Sequence, residues 1–166
     1  QKHLVGGFDE EFADSIAARV IYPDETHACA FTDRGISFFS SRNQAAVELT
    51  SQAEPEESIQ TVFYSDEYAG FIVRTSGGEN PYRMELYRIN GDPVFTAEFN
   101  FQYKHADISG DMVILYNEEA CQIYSTSGTL KYSGGLGMEI QQIRQGRSGS
   151  SVIVTGPQVM KEIRLQ

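Results

Sequence analysis

A fourfold repeat is the feature of this sequence that most constrains its fold. Each copy has the order apolar strand, polar turn, second strand, Ser/Gly turn and third strand, as in SGDMVILYNEEACQIYSTSGTLKYSGGL at residues 109–136. The equivalent positions Pro23, Ser65, Ser109 and Ser148 lie 42, 44 and 39 residues apart. Because a further strand precedes each landmark, the unit has four strands, and its length is typical of a β-propeller blade.

The repeats account for almost the whole chain and predict one all-β, propeller-like domain over residues 1–166. Its four copies are approximately residues 14–51, 58–99, 101–136 and 139–165. The last copy ends before its outermost strand. KHLVGGF at residues 2–8 resembles LKYSGGL, the outer strand of the third copy. We therefore predict that this N-terminal strand completes the last blade and leaves no unpaired edge inside the ring.

Several predicted strands are apolar at consecutive positions, as in ACAF, FIV, MVILY and SVIV. Successive side chains of a strand point to opposite faces of its sheet, so both faces of these strands must be buried. Blades packed face to face provide that burial. A two-layer sandwich with one wet face predicts cleaner alternation.

The net charge excludes two classes of partner. Asp and Glu number 23 against 13 Lys and Arg, which gives a formal charge of −10. Such a surface repels phosphates, so roles in binding nucleic acid or an anionic membrane surface are excluded. No apolar run approaches the ~20 residues that cross a bilayer.

Residues with catalytic or metal-binding chemistry are scattered. Cys29 and Cys121 lack C-x-x-C spacing and have apolar neighbours, which predicts buried free thiols, with a disulfide or a reactive thiol as the alternative. His3, His27 and His105 belong to no metal-ligand pattern. The sequence therefore predicts neither a metal site nor a cofactor, and no catalytic residue.

One face of the predicted propeller is the candidate binding surface. The loops between second and third strands, together with those between blades, open on the same face and carry most of the acidic clusters. These loops favour a protein or a polar or cationic small ligand as partner. The candidate binding residues are Asp33, Arg34, Glu79, Tyr82, Glu118 and Glu119.

The stretch from GFIVRTSGG through YRMELYRINGDPVFTAEF to ADISGDMVILYNEEACQIYSTSGTLKY resembles uncharacterised propeller-like proteins of Gram-positive Firmicutes. These proteins are related to PQQ-like and WD40-like repeats and carry an N-terminal membrane anchor before an extracytoplasmic repeat domain. The resemblance implies a cell-surface location, with an anchor absent from this chain; a cytoplasmic location is the alternative. The chain has no Trp, so the docking signatures of PQQ-binding propellers are missing and PQQ is not expected.

The leading functional prediction is a non-catalytic, extracytoplasmic interaction or ligand-sensing module. One alternative is a carbohydrate-active enzyme that uses paired carboxylates on the acidic face. Another is half of a larger, eight-bladed ring, which a second chain or a missing half would complete. A homodimer that pairs blade edges is part of the same set of expectations.

Overall fold

The structure, a computed structural model, describes residues 17–42 and 46–166. These residues form fifteen strands and no helix. Each sheet is antiparallel, with its strands side by side in chain order. Within the described part of the chain there is accordingly no helix long and apolar enough to span a membrane.

The strands fall into four sheets. The first contains β1 (Ala17–Ile21), β2 (His27–Thr32), β3 (Ile36–Arg42) and β4 (Ala46–Ala53). The second contains β5 (Ile59–Tyr64), β6 (Tyr68–Arg74), β7 (Tyr82–Arg88) and β8 (Pro93–Phe99). The third contains β9 (His105–Ser109), β10 (Met112–Tyr116), β11 (Cys121–Ser125) and β12 (Leu130–Gly134). The fourth contains β13 (Gln142–Gln145), β14 (Ser151–Thr155) and β15 (Met160–Arg164).

The predicted all-β propeller with four blades is confirmed. The described part of the fourth sheet has three strands, with β15 at its edge. The strand predicted for residues 2–8 lies outside the described residues. LKYSGGL, the segment on which that prediction was based, begins with the outer strand β12.

Burial of both sheet faces, predicted from the consecutive apolar residues, is clearest in β10. All five of its residues are buried. Val113 and Leu115 face the second sheet, whereas Met112, Ile114 and Tyr116 face the fourth. A strand between two packed sheets must be apolar at every position, because neither of its faces reaches water.

The hydrophobic core is divided into layers between neighbouring sheets. One cluster joins the first and second sheets around Phe38 and Phe71, another joins the second and third around Tyr82 and Leu115, and another joins the third and fourth around Ile114. A smaller cluster, Ala28, Ala30 and Phe39 with Val20 and Val47, belongs to the first sheet. Each described sheet therefore packs on its neighbours in chain order.

Two turn glycines bring neighbouring sheets into close contact. Gly91, between β7 and β8, has φ +93° and approaches Phe38 and Ser51 of the first sheet. Gly128, between β11 and β12, has φ +97° and lies against Phe95 of the second sheet. The repeat predicts these two turns to be equivalent. Glycine is needed in both because of the positive φ and because a Cβ would collide with the preceding sheet.

Both cysteines are free and fully buried, which confirms the predicted buried thiols. Burial raises the pKa of each thiol to about 12, helped at Cys29 by the negative charge of Asp24. A thiolate is the reactive form of cysteine, so neither side chain is suited to nucleophilic chemistry in the folded protein.

Candidate functional site

The strand order places two kinds of loop at the same end of the sheets. The loops between second and third strands are residues 33–35, 75–81, 117–120 and 156–159, and the links between sheets are 54–58, 100–104 and 135–141. We call this end the loop face. Adjacent strands run antiparallel, so the second and fourth strands of a sheet run in the same direction. The loop after the second strand and the link after the fourth therefore start at the same end of the sheet.

The loop face contains a cleft of about 380 Å³ formed by the first sheet's loop and the link to the second sheet. Asp33 and Arg34 line one side, and residues 54–58 line the other. The cleft therefore brings the predicted residues Asp33 and Arg34 together with Glu54 and Glu56, which are exposed.

Arg83, at the start of β7, holds the link of this cleft in place. Its guanidinium donates two hydrogen bonds to the carboxylate of Glu57, at 2.6 and 2.9 Å, and a third to Glu85 at 3.1 Å. The hydroxyl of Tyr87 donates to the other oxygen of Glu85 at 2.7 Å. The hydrogen bonds from Arg83 lower the pKa of Glu57 to about 2. The Glu57 side chain is therefore ionised near neutral pH, and its contact with Arg83 anchors the link.

A second cleft, of about 250 Å³, lies between the third and fourth sheets on the same face. Its lining includes Lys104, His105, Glu118 and Glu139. Lys104 Nζ lies 3.1 Å from Glu118 Oε1, and the Ile140 amide donates to the Glu118 carbonyl at 2.9 Å. Both charged side chains remain mostly exposed, at 60% for Lys104 and 66% for Glu118, so the pair is accessible to a partner.

The six predicted residues are distributed over several parts of the loop face. Asp33 and Arg34 line the first cleft and Glu118 lines the second. Glu79 is exposed in the loop before β7, and Glu119 is exposed beside Glu118. The structure therefore places Glu118 apart from the cleft that holds the first two residues.

Tyr82 differs from the other predicted residues because its side chain is buried, with 8% exposure. Its ring stacks on Phe99 and meets Tyr103 edge-on, with ring centroids 5.3 and 5.4 Å apart. Its hydroxyl donates to Gln102 Oε1 at 3.1 Å. Through Gln102, Tyr82 contacts the link between the second and third sheets and stabilises that part of the loop face from its buried side.

Acidic residues occur at both ends of the sheets. The described loops and links of the loop face contain Asp33, Glu54, Glu56, Glu57, Glu79, Glu118, Glu119 and Glu139, against Arg34 and Lys104. The described turns at the opposite end contain Asp24, Glu25, Asp66, Glu67, Asp92 and Asp111, against Arg147. Charge alone does not distinguish the loop face. The loop face also contains the two clefts described above, both lined by carboxylates.

The described residues contain no group of three or more His, Cys, Asp or Glu side chains arranged to hold a metal ion. Glu57, which accepts two hydrogen bonds from Arg83, has a pKa well below its ordinary value. A glycosidase acid needs the opposite shift, because it must be protonated near neutral pH. Glu57 is therefore unsuited to the role of general acid.

Sequence reasoning included Glu118 but missed Arg83, Glu57 and Lys104, and it missed which side chains pair at the two clefts. Arg83 and Glu57 are 26 residues apart, and Lys104 and Glu118 are 14 apart. No local motif connects such pairs. Only the strand order brings them together, and the repeat by itself does not specify which side chains meet across a link.

The sequence matches a family of unknown function, DUF5711, over residues 1–165. The chain belongs to this family. Comparison with curated protein sequences gives no significant match.

Solved structures with a similar fold include a WD40 β-propeller domain. The WD40 β-propeller domain of Doa1 is 13% identical, with a TM-score of 0.54, and the match covers 92% of this chain and 52% of that one. BamB from Moraxella catarrhalis is 14% identical, with a TM-score of 0.55, covering 91% and 48%. The computationally designed Ika4 protein is 10% identical, with a TM-score of 0.56, covering 92% and 93%. The chain thus spans about half the length of the Doa1 and BamB structures.

Proposed function

We propose that this propeller is a non-catalytic interaction module that binds a cationic segment of a partner protein on its loop face. The observation that supports it is the pair of carboxylate-lined clefts, each formed by a loop of one sheet and the link to the next. Exposed Glu54 and Glu56 in the first cleft and Glu139 in the second, beside the Lys104–Glu118 ion pair, offer charge complementarity to Lys or Arg side chains.

The internal ion pairs support the same choice of partner. Arg83 neutralises Glu57 and holds the link, which leaves Glu54 and Glu56 of that link exposed. A preorganised loop loses less conformational entropy on binding than a mobile one. The proposed site therefore combines fixed backbone with outward-facing negative charge.

The test compares two variants with the same change in net charge. Glu54→Lys/Glu56→Lys alters the first cleft, and Glu25→Lys/Glu67→Lys alters exposed positions at the opposite end. The probe is a fluorescently labelled lysine-rich decapeptide, and binding is followed by anisotropy at low and at physiological salt. We expect the first variant to weaken binding by roughly tenfold and the second by less than about twofold, since exposed charges act over roughly a Debye length.

Two outcomes would contradict the proposal. Equal weakening by both variants would mean that the peptide senses net charge and not the loop face. Absence of binding to the unaltered protein at low salt would remove cationic segments as partners.

The proposed location is the cell surface, and its support is the resemblance to extracytoplasmic repeat domains. Protease accessibility on intact cells of the source organism tests it. Cleavage by an added protease is expected before lysis, and protection until lysis would place the protein inside the cell.

The half-ring alternative is supported by the matches to Doa1 and BamB, of which the four blades cover about half, whereas the match to Ika4 covers 93% of that chain and favours a unit of four blades. It concerns the assembly that presents the loop face and is compatible with the proposed function. The enzyme alternative stays a prediction, and the lowered pKa of Glu57 does not suit that carboxylate to the role of general acid.

A further inference from the structure

The turn between β7 and β8 contains the only Asn-Gly pair of the sequence, Asn90–Gly91. Asn90 is exposed and Gly91 is half-buried. When glycine follows asparagine, the backbone nitrogen between them readily attacks the asparagine amide, because glycine has no Cβ to obstruct the approach. The turn therefore carries a reactive amide at the place where the second sheet contacts the first.

Hydrogen bonds with Asp92 orient the Asn90 side chain. The Asp92 amide donates to Asn90 Oδ1 at 3.0 Å, and Asn90 Nδ2 donates to Asp92 Oδ2 at 3.0 Å. Attack on Asn90 Cγ moves negative charge onto Oδ1, and a fixed N–H donor stabilises charge that develops on its acceptor. The Asp92 amide is thus placed to assist the attack.

The attacking nitrogen, in contrast, is engaged while the turn is closed. The Gly91 amide donates to the Arg88 carbonyl at 2.9 Å, and the Arg88 amide donates to the Asp92 carbonyl at 2.8 Å. Gly91 also lies against Phe38 and Ser51 of the first sheet. Attack requires the nitrogen to lose the proton that the Arg88 carbonyl accepts. The closed turn therefore restrains the reaction that its sequence favours.

We propose that Asn90 is a site of spontaneous deamidation, gated by opening of the β7–β8 turn. In the open turn the Gly91 nitrogen gives its proton to solvent and bonds to Asn90 Cγ. The Cγ–Nδ2 bond breaks, and Nδ2 takes a proton from water and leaves as ammonia. Water then adds to either carbonyl of the five-membered succinimide ring, which gives aspartate or isoaspartate at this position. No oxidant or reductant takes part.

The products weaken the contact that restrained the reaction. A carboxylate in place of the Asn90 amide replaces the Nδ2 donor by an oxygen that faces Asp92 Oδ2, so a hydrogen bond becomes a repulsion between like charges. Isoaspartate also adds a carbon to the backbone beside Gly91, where a Cβ would already lie 2.0 Å from Ser51 Oγ. Deamidation therefore loosens the second sheet from the first, and closing the turn does not reverse it.

Peptide mapping by mass spectrometry tests the site. The full chain is kept for weeks in mildly alkaline buffer made with heavy-oxygen water, which labels each hydrolysed amide. We expect label at Asn90 and none at Asn117. Asn117 is the internal control, because backbone amides also donate to its Oδ1 but Glu118 follows it in place of glycine. The same incubation in urea should accelerate the reaction at Asn90 by roughly tenfold, because the turn is then open.

Two matched variants test the gate. Phe38→Leu removes the ring that lies against Gly91, and Phe63→Leu makes the same change in the cluster between the second and third sheets. Phe38→Leu is expected to speed deamidation of Asn90 by roughly threefold and Phe63→Leu to leave it nearly unchanged, because only the first loosens this turn. Thermal melts must show that both variants are folded.

A second pair of variants tests the consequence. Asn90→Asp makes one of the two products directly and is expected to lower the melting temperature by roughly 3 °C. Asn100→Asp adds the same charge at an exposed position in the link between the second and third sheets. This control should leave the melting temperature nearly unchanged.

Four results would overturn the proposal. Absence of label at Asn90 in urea would mean that the pair is unreactive. Label in urea but none in the folded chain would mean that the turn does not open far enough for the reaction. Equal rates in the folded and the unfolded chain, or in the two Phe→Leu variants, would remove the gate. Equal melting temperatures for Asn90→Asp and Asn100→Asp would mean that the product does not disturb the contact between the sheets.

Discussion

Aromatic rings and the charged side chains Arg83 and Glu85 share the interface between the first and second sheets, whereas the interface between the third and fourth is mostly aliphatic and has Tyr116 as its buried aromatic residue. Phe38 and Phe71 pack against Tyr87 in the first case, beside the half-buried Arg83 and Glu85. In the second, the cluster is built around Met112, Ile114, Ile123, Val152 and Val154. The comparison shows that the repeat specifies which positions face a neighbouring sheet but leaves the chemistry of each interface free to differ.

The largest effect is expected from removing a ring in the first of these interfaces. Phe71 is 1% exposed and its ring centroid lies 6.1 Å from that of Tyr87. Phe71→Ala should lower the free energy of unfolding by about 3–5 kcal/mol, through lost burial and the cavity left behind. Urea unfolding followed by circular dichroism measures the loss.

The two buried cysteines show whether that loss is local. Cys29 lies in the cluster of Phe71, and Cys121 lies in the cluster between the third and fourth sheets. In Phe71→Ala, Cys29 should react with a thiol reagent faster than Cys121, because only one interface is loosened. Equal rates would mean that the sheets open as one cooperative unit, and the distinction between the interfaces would then have no bearing on opening.

A smaller effect is expected at Gly91, in the turn of the second sheet that contacts the first sheet. Gly91→Ala would place a Cβ 2.0 Å from Ser51 Oγ, at a φ of +93°. Strain at such a position costs about 1–3 kcal/mol. Within the described residues the buried Ser51 Oγ has no hydrogen-bond partner, so Ser51→Ala alone should be close to neutral. Added to Gly91→Ala, it should recover part of the loss in melting temperature.

Gly128→Ala is the matched substitution at the next interface, with φ +97° and a Cβ 2.9 Å from Phe95. Ser51→Ala should not rescue it, because Ser51 belongs to the other contact. Rescue of both glycine variants by Ser51→Ala would contradict the assignment of Ser51 to the Gly91 turn.

The smallest effect concerns the ion pair between Arg83 and Glu57 and depends on pH. Hydrogen bonds from Arg83 lower the pKa of Glu57 from 4.5 to about 2. A carboxyl with a lowered folded-state pKa stabilises the fold above its unfolded pKa, and the contribution is lost as pH falls through the folded value. The stability difference between the protein and Glu57→Gln should therefore be constant above pH 5 and decline between about 4.5 and 2.

Glu79→Gln provides the control for that titration, because Glu79 is exposed in a loop of the same face. Thermal melts across the pH series should give curves for Glu79→Gln that parallel the unaltered protein. A difference for Glu57→Gln that does not change between pH 5 and 2 would show that the Arg83 contact does not act through charge.

The fold could be predicted because its main signal is local and repeated. MVILY has no polar position to turn toward water, and both faces of β10 are indeed buried. The turn equivalence of Gly91 and Gly128 also follows from the repeat. These features depend on strand and turn chemistry within a single unit, which the sequence displays directly.

The candidate site could be predicted only in part, because it depends on contacts between units. The strand order locates the loops. The sequence SGGENP, however, does not indicate that β7 begins at the next residue, Tyr82, and this start directs the Tyr82 ring into the core. The Arg83–Glu57 contact joins residues of different elements across a link. Such contacts determine which carboxylates are neutralised and which remain exposed. No sequence motif indicates these contacts.

The separation of Cys29 and Cys121 has a consequence for where this protein can fold. They lie in the first and third sheets, with the second sheet between them, and both are free. The hydrophobic layers are therefore assembled without any crosslink. Neither an oxidising nor a reducing compartment would change the covalent structure of the folded chain, so the fold is indifferent to the redox state of its surroundings.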